Sequence, residues 1–174
     1  MAGHSKWAQI KRKKAVTDGK RSQLFSRLSK NISVEARLSN GDKNAPGLRA
    51  AIEKAREANM PNENIERAIS KANETKSLEK IVYEAYGPGG VGLIIEALTD
   101  NKNRSAQEIK FVLSKNGTSL AGIGSVLWAF KKENDSYTPE TTVVVDDSFS
   151  DSLEKLIEDL EELEDVSEVI TNAE

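Results

Sequence analysis

Residues 81–98 read IVYEAYGPGGVGLIIEAL, and their pattern is typical of two paired strands. Two runs rich in β-branched and aromatic residues, 81–86 and 91–98, flank the sequence GPGG, which is typical of a tight turn. The hexapeptide GPGGVG also fits the glycine fingerprint of dinucleotide-binding folds. That fingerprint must open a helix whose N-terminus holds the pyrophosphate, whereas a second strand follows here. We therefore predict a β-hairpin and no cofactor.

The chain after this hairpin alternates between helical and strand patterns. A helix is predicted to begin at a capping box formed by Ser105 and Glu108 and to stop at Gly117. The elements that follow are strands at 125–130 and 142–145, an amphipathic helix between 150 and 164, and a last strand at 166–170. The order ββαββαβ predicts an α+β domain over residues 80–174, in which two helices cover one face of a mainly antiparallel sheet.

The residues before the hairpin have helical spacing instead. Apolar side chains recur between 22 and 38, and the turn-like sequence SNGD follows them. Pro46 suits the first turn of a second helix, and Asn62 can cap a third. We predict a three-helix domain over residues 22–75, preceded by a basic N-terminal arm at 1–21.

The formal net charge of -3 conceals an asymmetry along the chain. Residues 1–71 contain 16 Lys/Arg and 7 Asp/Glu, a net charge of +9, whereas residues 72–174 contain 9 and 21, a net charge of -12. Such a division indicates that the first part binds a polyanion and that the second part does not.

Composition excludes several kinds of site. The chain has no cysteine and one histidine, so disulfides, thiol catalysis and metal sites built from several histidines are excluded. No run of residues has the length of a membrane span, and no apolar signal-peptide core is present, so we expect a cytoplasmic protein. We also find no nucleophile motif and expect neither catalysis nor a small-molecule substrate.

The cations of the arm and the first helix are candidates for binding nucleic acid. Spread along a segment, such side chains neutralise successive phosphates, although phosphate contacts do not read sequence. Trp7 is placed either to stack on a base or to fasten the arm to the helices, and His4 lies beside it. The candidate residues are His4, Lys6, Trp7, Lys11, Arg12, Lys13, Lys14, Lys20, Arg21, Arg27 and Lys30.

Two further sets of polar residues have alternative explanations. Asn101 and Arg104, between a strand and a helix, are interpreted equally well as turn architecture or as a secondary contact surface for nucleic acid. The carboxylates from Asp146 to Asp165 could hold a divalent ion, but they follow the polar side of an amphipathic helix. We interpret them as a solvated face and predict no metal site.

Four strings resemble the YebC/PmpR family in order: MAGHSKWAQIKRKKAVTDGKR at 1–21, AIEKAREANMPNENIERAI at 51–69, YEAYGPGGVGLIIEALTDNKNRS at 83–105 and SKNGTSLAGIGSVLWAF at 114–130. The sequence at 158–172, EDLEELEDVSEVITN, is similar to the family's C-terminal helix and strand. Family members usually carry a further α/β domain where this chain has KKENDSYT at 131–138. The resemblance thus implies a short form, with the inserted domain missing near 133–138.

The resemblance implies two functions. Bacterial members are usually described as DNA-binding transcriptional regulators. Others, including the mitochondrial translational activator of cytochrome c oxidase, are ribosome-associated factors that help synthesis of difficult stretches such as proline runs. We expect a monomer that binds ribosomal or transfer RNA. RNA is favoured because the arm has no clear recognition helix for reading bases and no sign of a dimer that would bind two DNA half-sites. Promoter DNA is the alternative. A third hypothesis is a protein–protein adaptor that uses the acidic helix.

Overall fold

The computed structural model describes residues 18–73 and 78–174. These residues belong to two compact units, a helical unit that includes 18–73, 78–79 and 134–136, and an α+β unit that includes 80–133 and 137–174. The predicted fold class, a three-helix region followed by an α+β region, is confirmed. None of the described helices has the length and apolar character that crossing a membrane requires.

Three helices form the helical unit: α1 (Asp18–Leu38), α2 (Pro46–Glu57) and α3 (Asn62–Ser70). Pro46 opens α2, where its fixed φ suits a helical turn. An N–H at this position would have no acceptor within the helix, so the lack of one in proline costs no hydrogen bond. The prediction that Asn62 caps α3 is wrong. The N-cap is Pro61, no side chain caps the helix, and Asn62 is already helical.

The core of this unit is aliphatic and small. It contains Ile32, Ala36, Leu48, Ala51, Ile52, Ala55, Met60, Ile65, Ala68 and Ala72. Five of these ten residues are alanines, so the helices can approach one another closely. A buried hydrogen bond of 2.8 Å from the Ser33 hydroxyl to the Ala68 carbonyl also joins α1 to α3.

The α+β unit contains five strands and two helices in the order ββαββαβ, although the third and fourth strands do not lie where they were predicted. They are β1 (Glu79–Tyr86), β2 (Gly92–Thr99), α4 (Lys102–Lys115), β3 (Phe130–Glu133), β4 (Ser136–Pro139), α5 (Asp147–Glu161) and β5 (Val166–Thr171). The main sheet has the order β1-β2-β5, with β5 antiparallel to β2. The hairpin prediction for β1 and β2 is confirmed, and Gly89 and Gly90 in its turn adopt φ of 76° and 77°, which glycine tolerates best.

Both faces of the main sheet are covered. On one face, Leu93, Ile95 and Ala97 of β2 belong to the same cluster as the apolar sides of α4 and α5, as predicted. On the other face, Ile94 packs in a second cluster with Val126, Ala129 and Phe130. The alternation of side chains along β2 therefore supplies two cores, which explains why nearly every residue of this strand is buried.

The predicted strands at 125–130 and 142–145 are wrong. Residues 127–129 form a 3₁₀ turn, because their apolar neighbours are buried against the sheet face and not paired in a ladder. Val143 makes one isolated bridge, to Ala173. The actual third and fourth strands, β3 and β4, form a separate two-stranded sheet, with Asn134 and Asp135 at positive φ between them.

Candidate nucleic-acid interface

The first turns of α1 carry four of the predicted cations. Lys20 and Arg21 are exposed, and Arg27 and Lys30 are partly exposed. At 3.6 residues per turn, positions 20, 27 and 30 fall on one side of the helix, whereas Arg21 points about 100° away. Three of the four cations are therefore arranged so that one polyanion could contact them together.

The opposite side of α1 fixes the helix in the unit. Ile32 and Ala36 are buried, and Phe25 and Leu28 pack against the same cluster. These positions follow helical spacing and lie against α2 and α3. The cations of α1 are thus presented by a helix whose other face is anchored, so their spacing is set by the fold.

The other arm candidates, His4, Lys6, Trp7, Lys11, Arg12, Lys13 and Lys14, lie outside the described residues, and their role stays a prediction. The charge of this part of the chain is known from the sequence: residues 1–17, the part of the arm before α1, contain five Lys/Arg and no Asp/Glu, and residues 18–73 contain 11 and 7. Residues 1–17 and 18–73 therefore carry net charges of +5 and +4, so both are positive.

Sequence reasoning overlooked two cations on α2. Arg49 and Arg56 are both exposed, and their separation of seven residues places them on the same side of the helix. Neither makes an ion pair within the described part of the chain. The seven-residue spacing could have revealed them, but the acidic residue between them, Glu53, obscured the pattern.

Asn101 and Arg104 take part in the architecture of the α+β unit. Asn101 is the N-cap of α4, and its side-chain oxygen accepts a 3.1 Å hydrogen bond from the Arg104 amide. The Arg104 guanidinium donates to the Asp165 carboxylate at 3.0 and 3.1 Å and to Asp100 at 2.9 Å. These contacts supply a structural reason for both residues, and a contact with nucleic acid stays a prediction.

The capping box predicted at Ser105 and Glu108 is wrong. Because Asn101 caps α4, Ser105 lies inside the first turn, where its buried hydroxyl donates to Asp165. Thr99 donates to the same carboxylate oxygen at 2.9 Å. Ser105 is therefore a partner of a buried charge.

Asp165 was grouped with the solvated carboxylates, and this is wrong, because its side chain is buried just before β5. Burial alone would raise the pKa of this carboxyl, but hydrogen bonds from Ser105, Arg104 and Thr99 outweigh it and hold the pKa below its ordinary value. Many of the other predicted acids, such as Asp146 and Glu162, are exposed. Among the described residues, no cluster of three or more His, Asp or Glu side chains is placed to hold a metal ion.

A second buried carboxylate, Glu84 of β1, holds the loop before β3. It accepts hydrogen bonds from the backbone amides of Gly124, Val126 and Leu127 at 2.6, 2.7 and 2.9 Å. Burial raises the pKa of Glu84, but these three amides outweigh that effect and lower it overall. Because Glu84 sits in an apolar strand, sequence periodicity alone did not reveal this role.

The lowered pKa of Glu84 predicts a dependence of stability on pH. The unfolded chain binds this proton more readily than the folded one, so the contribution of Glu84 is present above the ordinary glutamate pKa of about 4.3 and is lost as the pH falls through the lower folded value. We expect the free energy of unfolding, measured with urea between pH 3 and 7, to fall less toward acid in the Glu84→Gln variant than in wild type. Equal losses in the two proteins would contradict the assignment.

Two family models match successive parts of the chain. Residues 5–75 match the family model described as the TACO1/YebC protein N-terminal domain, and residues 78–135 match the model of the TACO1/YebC second and third domain. The second match ends in the turn between β3 and β4.

Relatives and a solved structure extend the likeness to the whole chain. A protein of Dictyoglomus turgidum is 46% identical over 100% of this chain and 72% of its own length, and one of Halothermothrix orenii is 52% identical over 92% and 63%. A third, of Fervidobacterium nodosum, is 55% identical over 76% and 54%. All three are named "Probable transcriptional regulatory protein". The crystal structure of a conserved hypothetical protein from Aquifex aeolicus superposes with a TM-score of 0.74 at 34% identity, covering 98% of this chain and 97% of that one.

Proposed function

The chain belongs to the TACO1/YebC family, and from this premise we propose that it is a nucleic-acid-binding regulator of gene expression that acts on RNA at the ribosome. The observation that carries the proposal is the segregation of charge. The basic arm and the α1 cations stand at one end of the sequence, whereas 19 of the 28 acidic residues lie within residues 80–174. A polyanion would be attracted to the first and repelled by the second.

The mode of binding follows from the kinds of side chain available. Lysine and arginine contact phosphates without reading bases, so the affinity depends strongly on salt and weakly on sequence. α1 is anchored by Phe25 and Leu28 on its apolar side. Its cations therefore suit a backbone of fixed shape, such as folded RNA, where phosphate positions are set by structure and not by sequence.

The resemblance supports a more specific role. Within this proposal the protein assists synthesis of difficult stretches, such as proline runs, and does so by contacts with ribosomal or transfer RNA. Because this chain spans 54–72% of the three curated relatives, the part of their activity that depends on further residues is not assigned to it.

Control of transcription through DNA is the second candidate, and the names of the relatives favour it. The same cations would grip DNA phosphates, since counterion release is common to both polymers. The two candidates differ in where the protein is found in the cell and in whether a particular promoter is protected.

Sedimentation of cell lysate through a sucrose gradient separates the candidates. We expect the protein to co-migrate with ribosomes and to return to the top of the gradient after ribonuclease treatment. A matched variant with the KRKK run at 11–14 changed to alanine should stay near the top in both cases. Absence from the ribosome fractions, together with a footprint on one promoter, would favour transcription. Capture of a basic protein partner without any nucleic acid would favour the adaptor hypothesis.

A further inference from the structure

The α+β unit has one segment that departs from its acidic character. Residues 109–132 contain four lysines and no Asp or Glu, whereas the rest of residues 80–174 contains four Lys/Arg and 19 Asp/Glu. The lysines are Lys110, Lys115, Lys131 and Lys132. This acid-free segment is therefore the part of the unit that a polyanion could approach with the least repulsion.

Large apolar side chains project from the same segment and from the end of β1, which is bonded to it. Ile123, between Gly122 and Gly124, is 101% exposed, and Trp128 is 66% exposed. Tyr86, at the end of β1, is 42% exposed and donates its hydroxyl to the Ser125 carbonyl at 2.6 Å. We refer to Tyr86, Ile123 and Trp128 as the apolar tip.

The polar groups of the two rings are already used inside the protein. The Trp128 indole N–H donates at 2.8 Å to the same Ser125 carbonyl that accepts from Tyr86. Both side chains therefore meet at one backbone atom and leave ring surface, not hydrogen-bonding groups, to the solvent. A partner would gain apolar contact or stacking from them.

The tip is held in place from beneath. Glu84 binds three amides of residues 124–127, and the loop before them runs beside β1, with the Ala121 amide bonded to the Glu84 carbonyl at 2.8 Å. A loop so fixed keeps its exposed side chains in position before any partner arrives. Less ordering entropy is then lost on binding.

We propose that the apolar tip binds unpaired bases of a single-stranded nucleic acid, with Trp128 and Tyr86 as stacking surfaces and Ile123 inserted beside them. The inference rests on the proposed function and adds a second contact surface to it. Every nucleobase has an aromatic face that can stack, whatever the sequence, and every nucleotide carries a phosphate. Lys131 and Lys132 follow Trp128 closely. Lys131 is ion-paired with Glu133, just outside the segment, and a phosphate would compete with that carboxylate for it. Charge therefore favours nucleic acid over an apolar cleft in an acidic or neutral protein.

Fluorescence of Trp128 tests contact directly. The chain has two tryptophans, Trp7 and Trp128, so a Trp7→Phe variant leaves Trp128 as the reporter. Because Trp7 is itself a candidate for binding, the affinity of this variant for oligouridylate is first compared with that of wild type. We expect saturable quenching when oligouridylate is added and little change with a fully paired RNA duplex of the same length. Binding of oligouridylate, seen by anisotropy of a labelled strand, without any change in Trp128 emission would overturn the proposal.

Substitution measures the contribution to affinity. Trp128→Ala is expected to weaken oligouridylate binding about 5- to 100-fold and to leave duplex binding and the salt dependence unchanged. Trp128→Phe, which keeps a ring but loses the bond to Ser125, should retain most of the affinity. Val144→Ser removes an exposed apolar side chain outside the segment and should have no effect. Circular dichroism checks that each variant is folded.

The outcomes separate this inference from the proposed function. If wild type binds neither RNA nor DNA, the proposed function fails, and this inference fails with it. If wild type binds and the KRKK variant binds weakly, but Trp128→Ala binds like wild type, only the apolar tip is excluded as a nucleic-acid surface. A Trp128-dependent interaction with a protein, and none with oligouridylate, would also overturn it.

Discussion

Replacement of the KRKK run at residues 11–14 by alanine is expected to weaken RNA binding about a hundred- to thousand-fold near 0.1 M salt. Each phosphate contact contributes about 0.7 to the slope of log affinity against log salt for a single strand, so four lost contacts lower the slope by about 3. Affinity should be measured by anisotropy over a range of potassium chloride concentrations. The slope and the affinity at fixed salt then give two independent readings.

The matched control exchanges the residue types and keeps the charge. A variant with RKRR at 11–14 preserves four cations, and we expect its affinity and salt slope to stay near those of wild type. If the alanine variant binds as tightly as wild type with an unchanged slope, the arm is not a phosphate-binding element. A large loss in the RKRR variant would instead indicate contacts that depend on the shape of each side chain.

Asp165→Ala is expected to lower the free energy of unfolding of the α+β unit by about 3 kcal/mol, because a buried network loses its acceptor. Thr99 and Ser105 would each lose the partner of a buried hydroxyl, and Arg104 would lose the carboxylate that it contacts with two bonds. Urea unfolding followed by circular dichroism measures the change.

The control for this prediction is an exposed acid on the same part of the chain. Asp151→Ala, on the exposed side of α5, should change stability by less than about 0.5 kcal/mol. A loss of that small size in Asp165→Ala would mean that the network contributes little. Asp165→Asn, which keeps one acceptor oxygen, should fall between the two.

The elements that were predicted correctly from the sequence are those whose pattern of apolar and turn residues has one local cause. The β1–β2 hairpin follows from a glycine turn between two apolar runs, and α5 from a single apolar stripe that ends in the cluster with β2. The strand at 125–130 was mispredicted because Val126 and Phe130 are apolar for another reason, namely burial against the far face of the sheet. Periodicity cannot distinguish these causes.

Of the functional and structural polar residues, the cations could be predicted from the sequence, whereas the buried carboxylates could not. Charge segregation is a property of the sequence, so the arm and the α1 cations could be proposed without a structure. The roles of Glu84 and Asp165 could not, because each carboxylate finds its partners at least 40 residues away along the chain. Such long-range pairing is set by the packing of the sheet and not by neighbouring residues.

The two-residue turn between β3 and β4 makes this protein a convenient host for engineered modules. Glu133 and Ser136 stand at the ends of paired strands, which lie about 4.8 Å apart in a sheet. A fluorescent or affinity module whose own termini are close together could be spliced between Asn134 and Asp135, which are both exposed. A reporter inserted at this site would be far along the sequence from the arm, so it could report on binding by the arm without being part of it.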